Sequence, residues 1–245
     1  VHNEGHRTDG LPDRNMEYLI YQTILGAWPI NAERMLEYVE KAAREAKTHT
    51  AWTAQDPEYE EALRGFVEGI MGDEDFMSEA EAFASQVIEP GRVNSLAAAL
   101  LKLTVPGVPD VYQGSELWNL SLVDPDNRRP VDFEMRSQLL DELDGLAAEE
   151  IMARMDEGLP KLWVTWSALA LREKLPQAFG PGSEYRALSV SGAAAPHCFA
   201  FLRGGSVAVV MPRLWKTLGG RWQDTAVELP RGTWRNVLTG KRHDG

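Results

Sequence analysis

The sequence predicts an α+β fold, with helices through most of its 245 residues and a small antiparallel β domain at its end. Apolar residues recur at helical spacing in the segments 13–103 and 134–174, which is typical of helices with one buried face. From residue 183 onward, short apolar segments alternate with turn residues, which is typical of antiparallel strands. A polar segment, 104–133, has neither period and separates the two helical parts. We therefore predict two domains, 1–182 and 183–245.

Capping residues place the first three helices. Asp13 precedes a helical stripe that continues to about residue 28, and Asn31 precedes the next stripe. Asp56 is followed by Pro57, an N-cap with proline at the first helical position. We expect each of these side chains to accept a hydrogen bond from the first turn of its helix.

Breaks in the pattern place the remaining helices. Ser78 with Glu81 forms a capping box, and Pro90 followed by Gly91 is expected to end that helix before another begins at Val93. Two more helices are predicted after the polar segment, over 134–148 and 160–174. Gly204 and Gly205 predict a hairpin turn, and the predicted strands are 185–190, 197–203, 206–212, 225–229 and 233–238.

The composition excludes several classes of partner. The net charge is −12, which argues against a nucleic-acid or anionic-membrane surface, since both need clustered Lys and Arg. No apolar run reaches the roughly 18 residues of a membrane span. The single cysteine, Cys198, cannot form an intramolecular disulfide and is compatible with a reducing compartment. We expect a cytoplasmic protein that binds a neutral ligand.

The 104–133 segment carries the side chains that suit a hydroxyl-rich ligand. It combines carboxylates and arginines with amides and two large aromatic residues. Hydroxyl groups need both donors and acceptors, and the C–H face of a sugar ring packs on Trp or Tyr. The alternative is a structural loop in which arginines pair with aspartates to fix its path.

The motifs of many cofactor-dependent or nucleophilic enzymes are absent. There is no P-loop, no G-x-G-x-x-G after a strand, no C-x-x-C, no H-E-x-x-H and no G-x-S-x-G. We predict no cofactor and no metal site. The remaining possibilities for this chain are catalysis by carboxylates or ligand binding without catalysis. Glycosidases use a pair of carboxylates.

The run from Leu103 to Glu116, LTVPGVPDVYQGSE, resembles the last barrel strand and following turn of the α-amylase superfamily. The longer run through LVDPDNRRPVD at 122–132 is similar to one family within it, the maltooligosyl trehalose synthases, or (1→4)-α-D-glucan 1-α-D-glucosylmutases. NMEYLIYQTILGAWP at 15–29, KTHTAW at 47–52 and segments of the predicted β domain resemble the same family, although Ala51 stands where the family pattern has Ser. The resemblance covers almost the whole chain.

The resemblance implies an enzyme that converts the reducing-end α-1,4 linkage of a maltooligosaccharide to α,α-1,1, in trehalose biosynthesis. The chain would be its C-terminal fragment, the mostly helical end of a (β/α)₈ barrel plus the β domain, with the N-terminal part of the barrel as its missing partner. The family's catalytic triad lies on earlier strands, so no catalytic residue is assigned and the chain alone is expected to be inactive. The alternatives are a fragment of another hydrolase or glucanotransferase of the superfamily, or a non-catalytic carbohydrate-binding module.

The resemblance also implies substrate-binding residues, because loops after barrel strands form the active-site face. Either Arg128 or Arg129 would pair with an acid and close the pocket floor. The last barrel strand, at about 105–112, lacks its partner strands here, so we expect 105–133 to be exposed or irregular. The predicted substrate-binding residues are Trp52, Tyr112, Gln113, Glu116, Trp118, Asp124, Asp126, Asn127, Arg128 and Arg129.

Overall fold

A computed structural model describes residues 2–245, in which the chain divides into two compact units. Unit 1 contains the residues up to Ile88 together with Leu120–Pro130, and unit 2 contains Glu89–Asn119 together with Val131–Gly245. This division cuts the chain inside the 104–133 segment. The predicted boundary at 182/183, between a barrel part and a β domain, stays a prediction.

Unit 1 is helical. Helices α1 (Arg14–Gly26), α2 (Ala32–Ala46) and α3 (Pro57–Gly72) precede the first part of α4, which spans Glu74–Thr104. The predicted caps are confirmed, because the side chains of Asp13, Asn31 and Asp56 accept hydrogen bonds from first-turn N–H groups. The fully buried side chains of the unit 1 core include Ile20, Ile24, Met35, Phe66 and Ile70.

The predicted break at Pro90 is wrong, because α4 continues through it to Thr104. Proline removes one intrahelical hydrogen bond, the bond to the carbonyl four residues earlier, which belongs to Gln86. Gln86 is exposed, so water can satisfy that carbonyl. The start is also different, since Asp73 rather than Ser78 caps this helix by accepting from the N–H groups of Asp75 and Phe76.

The helices of unit 2 surround two apolar clusters. After the second part of α4 come α5 (Phe133–Glu142), α6 (Ala148–Ala153), α7 (Leu159–Lys174), α8 (Pro176–Phe179) and the short α9 (Trp215–Leu218). The helix predicted over 134–148 is too long, because a 3₁₀ turn at Leu143–Gly145 replaces its end. The first cluster is built around Leu117, Ile151 and Leu159, and the second around Phe201 and Val209.

Unit 2 also holds the antiparallel β structure, which confirms the predicted α+β class. Its largest sheet has the order β1 (Tyr185–Ala187), β3 (Cys198–Arg203), β4 (Val207–Pro212), with the predicted hairpin turn at Gly204 and Gly205. Two further pairs join β2 (Val190–Ser191) to β5 (Ala226–Val227), and β6 (Thr233–Arg235) to β7 (Arg242–Asp244). The sequence analysis did not predict β7.

No strand forms over 105–132, so the expectation of an irregular segment there is confirmed. A hydrogen-bonded turn, in which the Ser115 N–H donates to the Tyr112 carbonyl, and a 3₁₀ turn, Asp126–Arg128, interrupt its irregular path. A strand there would have no neighbouring strand to pair with its backbone N–H and C=O groups, which explains why none forms.

Candidate functional site

The ten residues predicted to bind substrate are divided between the two units. Trp52, Asp124, Asp126, Asn127, Arg128 and Arg129 lie in unit 1, whereas Tyr112, Gln113, Glu116 and Trp118 lie in unit 2. Each group has its own set of anchoring contacts.

Asp126 is the buried centre of the unit 1 group, with 8% of its surface exposed. The guanidinium of Arg34 donates a two-pronged pair of hydrogen bonds to it, Nε to Oδ1 at 3.0 Å and Nη2 to Oδ2 at 2.9 Å. The Leu122 backbone N–H donates to Oδ2 at 2.6 Å, and Arg129 donates to Oδ1. These hydrogen bonds, led by those from Arg34, lower the pKa of the Asp126 carboxyl group.

Arg34 is placed by the start of α2. Asn31 caps this helix by accepting from the Arg34 backbone N–H at 3.0 Å, and the Arg34 side chain reaches the segment 92 residues further along the chain. Its Nη2 also donates to the Leu120 carbonyl at 2.9 Å. One arginine thereby holds two points of the 120–130 segment.

A second and more exposed contact set surrounds Asp124. Lys41 of α2 donates to the Asp124 carbonyl at 2.5 Å, and its Nζ lies 3.8 Å from Oδ2. Arg128 forms an ion pair with the same carboxylate, and its side chain is 73% exposed. The two adjacent arginines therefore have different partners, because Arg129 contacts the buried Asp126 and Arg128 contacts the partly exposed Asp124.

Trp52 is 54% exposed and lies against a second ion pair of unit 1. The Arg44 guanidinium is 4.9 Å from the centroid of its ring, within the range of a cation–π contact. Arg44 also donates to both carboxylate oxygens of Glu60, at 2.9 and 2.7 Å, and Thr50 Oγ1 donates to Glu60 Oε1 at 2.6 Å. The Arg44 hydrogen bonds, with that from Thr50, lower the pKa of Glu60 to about 2.

In unit 2, Arg136 of α5 anchors the loop that contains Glu116. Its Nε donates to Glu116 Oε2 at 3.3 Å, and its Nη2 donates to the Gly114 carbonyl at 3.0 Å. Gly114 has φ +85°, and a Cβ there would lie 3.1 Å from Val131. A side chain at residue 114 would therefore be strained. Gln113 is exposed, and Tyr112 is 45% exposed.

Trp118 is partly buried and its one polar group is already engaged. The indole Nε1–H donates to the Met155 carbonyl at 2.6 Å. Lys161 and Arg92 each lie 5.9 Å from its ring centroid, and Lys161 also donates to the Leu117 carbonyl at 3.0 Å. Burial, with a smaller contribution from Lys102, lowers the pKa of Lys161. This environment gives Trp118 an anchoring contact within unit 2.

The cations that hold the predicted site residues were not predicted from the sequence, namely Arg34, Lys41, Arg44 and Arg136. All four lie on helices, outside the apolar stripes that located those helices. The signal available was weak: Arg34 comes three residues after a helix cap and Arg136 four residues after another, Asp132. Within residues 2–245, no group of three or more His, Cys, Asp or Glu side chains could hold a metal ion.

Two comparisons with known proteins relate this chain to one family. Two curated proteins of Mycobacterium tuberculosis, both named as putative maltooligosyl trehalose synthases, are 38% identical to the chain over 237 residues, which is 94% of the chain. The structure of maltooligosyltrehalose synthase from Arthrobacter ramosus superposes with a TM-score of 0.86 at 41% identity, covering 100% of this chain and 31% of that one. The chain is a relative of the maltooligosyl trehalose synthases.

A further solved structure is that of a Sulfolobus tokodaii protein described as a hypothetical maltooligosyl trehalose synthase. It superposes with a TM-score of 0.77 at 34% identity, and the match covers 95% of this chain and 30% of the Sulfolobus chain. The resemblance predicted from the sequence is thus confirmed. The chain spans 29% of the length of the curated maltooligosyl trehalose synthases that it matches. No protein-family model matches the chain. No helix in the described part of the chain is long and apolar enough to cross a membrane.

Proposed function

We propose that this chain is the C-terminal part of a cytoplasmic enzyme that rearranges the reducing-end α-1,4 linkage of a maltooligosaccharide to α,α-1,1. The observation that carries the proposal is the buried Asp126 carboxylate, which fixes the 120–130 segment inside the run that resembles the family. Loops that follow barrel strands form the walls of active sites, so this segment would be one wall of the glucan cleft.

In the proposed reaction, the 120–130 segment would help to keep water out of the cleft. The reaction follows retaining glycosidase chemistry: the reducing-end α-1,4 bond breaks, glucose leaves, and a carboxylate nucleophile holds the shortened chain as a covalent glycosyl-enzyme intermediate. The anomeric hydroxyl of the released glucose then attacks in place of water, so exclusion of water decides between rearrangement and hydrolysis. A wall held by Arg34, Lys41 and Arg129 would keep its position while the glucose turns over within the cleft.

The exposed side chains of the segment match a sugar ligand. Arg128 is 73% exposed and Arg129 is 51% exposed, so both guanidinium groups can donate to hydroxyl groups. In our proposal Asp124, Asp126 and Asn127 supply or orient acceptors around them. Tyr112, Gln113, Glu116 and Trp118, in unit 2, are also proposed as substrate-binding residues of the intact enzyme.

The test uses the intact enzyme that contains these residues, with maltopentaose as substrate. We expect Arg129→Lys to lower kcat/KM at least about tenfold, because lysine lacks the guanidinium Nη2 that donates to Asp126, and to raise the ratio of free glucose to trehalose-terminated product. The matched control is Arg186→Lys in β1. It alters an exposed pair between Arg186 and Glu184, and it should leave kcat/KM and the product ratio unchanged. An unchanged product ratio in Arg129→Lys, together with unchanged kcat/KM, would contradict this role of the segment.

The 245-residue chain alone is proposed to be inactive, because the family's triad motifs are absent from its sequence. Incubation with maltopentaose should give no loss of reducing ends and no free glucose. Turnover by the purified chain would overturn this part of the proposal.

A non-catalytic binding module is the second candidate, and the exposed Trp52 beside Arg44 favours it. A single open wall buries little of a sugar, so we expect weak affinity for maltohexaose in titration calorimetry. Micromolar affinity that disappears in Trp52→Ala would favour the binding module over the enzyme fragment.

A further inference from the structure

One edge of the largest sheet in unit 2 has no partner strand. Among the described strands, β4 pairs only with β3 and stands at the end of the order β1, β3, β4. An unpaired edge exposes backbone N–H and C=O groups that can pair with another strand.

The register identifies the groups that point outward. The Arg213 N–H donates to the His197 carbonyl at 2.8 Å, so this pair is a hydrogen-bonded one. Hydrogen-bonded and non-hydrogen-bonded pairs alternate along an antiparallel ladder. Val207, Val209 and Met211 therefore bond to β3, whereas Ala208 and Val210 direct their N–H and C=O groups away from it.

A groove of about 600 Å³ follows this open edge. Residues 206–210 line it, the helices α4 and α7 contribute Leu100, Val164 and Leu171, and β6 with its following turn contributes Trp234 and Val237. The lining is mostly apolar. Ser167 of α7 also lines the groove, is 6% exposed, and its hydroxyl oxygen has no hydrogen-bond partner among residues 2–245.

We propose that this groove binds an extended β-strand with apolar residues at alternate positions, which adds to β4 and completes the sheet. Only a polypeptide backbone supplies donors and acceptors at the spacing of Ala208 and Val210, while its side chains fill the apolar lining. A compact apolar molecule would leave those backbone groups unpaired. This inference does not rest on the proposed enzymatic function.

Length and charge indicate the source of the strand. The chain spans 29% of the length of its curated relatives, so most of a relative's residues lie outside the matched part and can supply such a segment. A second copy of the chain is disfavoured because each copy carries a net charge of −12, and like charges oppose association. We therefore assign the groove to a segment of the longer protein.

The test measures amide hydrogen exchange at Ala208 and Val210 in the 245-residue chain, with a soluble peptide of alternating Val and Thr between terminal lysines. The bound peptide should slow exchange at both amides at least about tenfold. The matched control is the same peptide with alternate backbone nitrogens methylated, which keeps the side chains and removes the donors. It should give no protection.

A substitution in β4 tests whether the outward backbone donors bind the peptide. Val210→Pro removes an outward donor and leaves the β3–β4 ladder intact, since proline is accepted on an edge strand. It should weaken peptide binding about tenfold, measured by exchange at Ala208 or by anisotropy of a labelled peptide.

Three results would overturn the proposal. The first is no protection up to about 1 mM peptide, the affinity limit of a weak complex. The second is equal binding of the methylated peptide, which would show that the apolar lining alone binds it. The third is a concentration-dependent dimer that protects Ala208 and Val210 without peptide, which would assign the edge to a second copy.

Discussion

Asp126 in unit 1 and Arg203 in unit 2 are both buried charged residues, but they differ in how fully their polar atoms are hydrogen-bonded. Asp126 accepts from the fork of Arg34, from Arg129 and from a backbone N–H. Arg203, on β3, is 1% exposed and donates from Nη2 to Ser183 Oγ at 2.8 Å. Its Nε and Nη1 have no hydrogen-bond partner in the described part of the chain.

The groups around Arg203 do little to offset the desolvation cost of its buried guanidinium. Its guanidinium lies 5.9 Å from the Phe179 ring centroid, and Arg172 lies over the same ring at 4.9 Å. Burial first, and the charge of Arg172 second, lower the pKa of Arg203. Burial of a charge is therefore no measure of its contribution to stability. The partners decide, because an unpaired buried ion retains its desolvation cost.

The largest effect is expected at Asp126. Asp126→Ala removes the carboxylate and leaves Arg34 partly buried without its partner, so the unfolding free energy of unit 1 should fall by about 3–5 kcal/mol. Urea unfolding measures this change. Asp124→Ala is the control, because that carboxylate is 42% exposed and its loss should cost at most about 1 kcal/mol. Equal losses in the two variants would remove the distinction between the buried and the exposed acid.

The opposite sign is expected at Arg203. Arg203→Met keeps an unbranched side chain and removes the uncompensated charge, so unit 2 should gain about 1–3 kcal/mol of unfolding free energy. Thermal and urea unfolding report the change, with the exposed Arg186→Met as the control at about 0.5 kcal/mol or less. A loss of stability in Arg203→Met would mean that the Ser183 hydrogen bond and the Phe179 contact outweigh desolvation.

A pH titration should reveal a smaller contribution from Glu60. Its pKa is lowered from 4.5 to about 2 in the folded chain, so its stabilising contribution is present above pH 4.5 and is lost as the pH falls towards 2. Glu60→Gln should therefore reduce the slope of unfolding free energy against pH in that window. The difference should be about 1 kcal/mol, since the pair with Arg44 is only partly buried. If the unfolding free energies of the unsubstituted chain and of Glu60→Gln changed with pH in the same way, the pairing of Glu60 with Arg44 would be contradicted.

The smallest effect is expected at the arginine whose pair is exposed. Arg128→Ala should change the unfolding free energy by at most about 0.5 kcal/mol, because the Arg128 side chain is 73% exposed. Arg129→Ala should cost more, since Arg129 donates to the buried Asp126. Urea unfolding of both single variants decides this, and a larger loss in Arg128→Ala would reverse the assignment of the two arginines.

Local chemistry determined what the sequence predicted well. Asp13, Asn31 and Asp56 cap helices because a short oxygen-bearing side chain reaches N–H groups two or three residues away, and that distance is set by the backbone alone. Gly204 and Gly205 form the hairpin turn because both have positive φ. The segment 104–133 shows neither a helical nor a strand period, and pairing of its arginines with aspartates was one of the two alternatives for that segment.

Tertiary structure decided the rest. Pro90 was expected to end a helix, but it lies inside α4, which runs from Glu74 to Thr104. Arg34 reaches Asp126 across 92 residues, and Arg136 reaches Glu116 across 20, so neither contact has a periodic signature. The sequence determined which charges and hydroxyl-binding groups this protein has. The packing of its helices determined which of those charges pair across long stretches of sequence, because such pairs form only when folding brings distant backbone segments together.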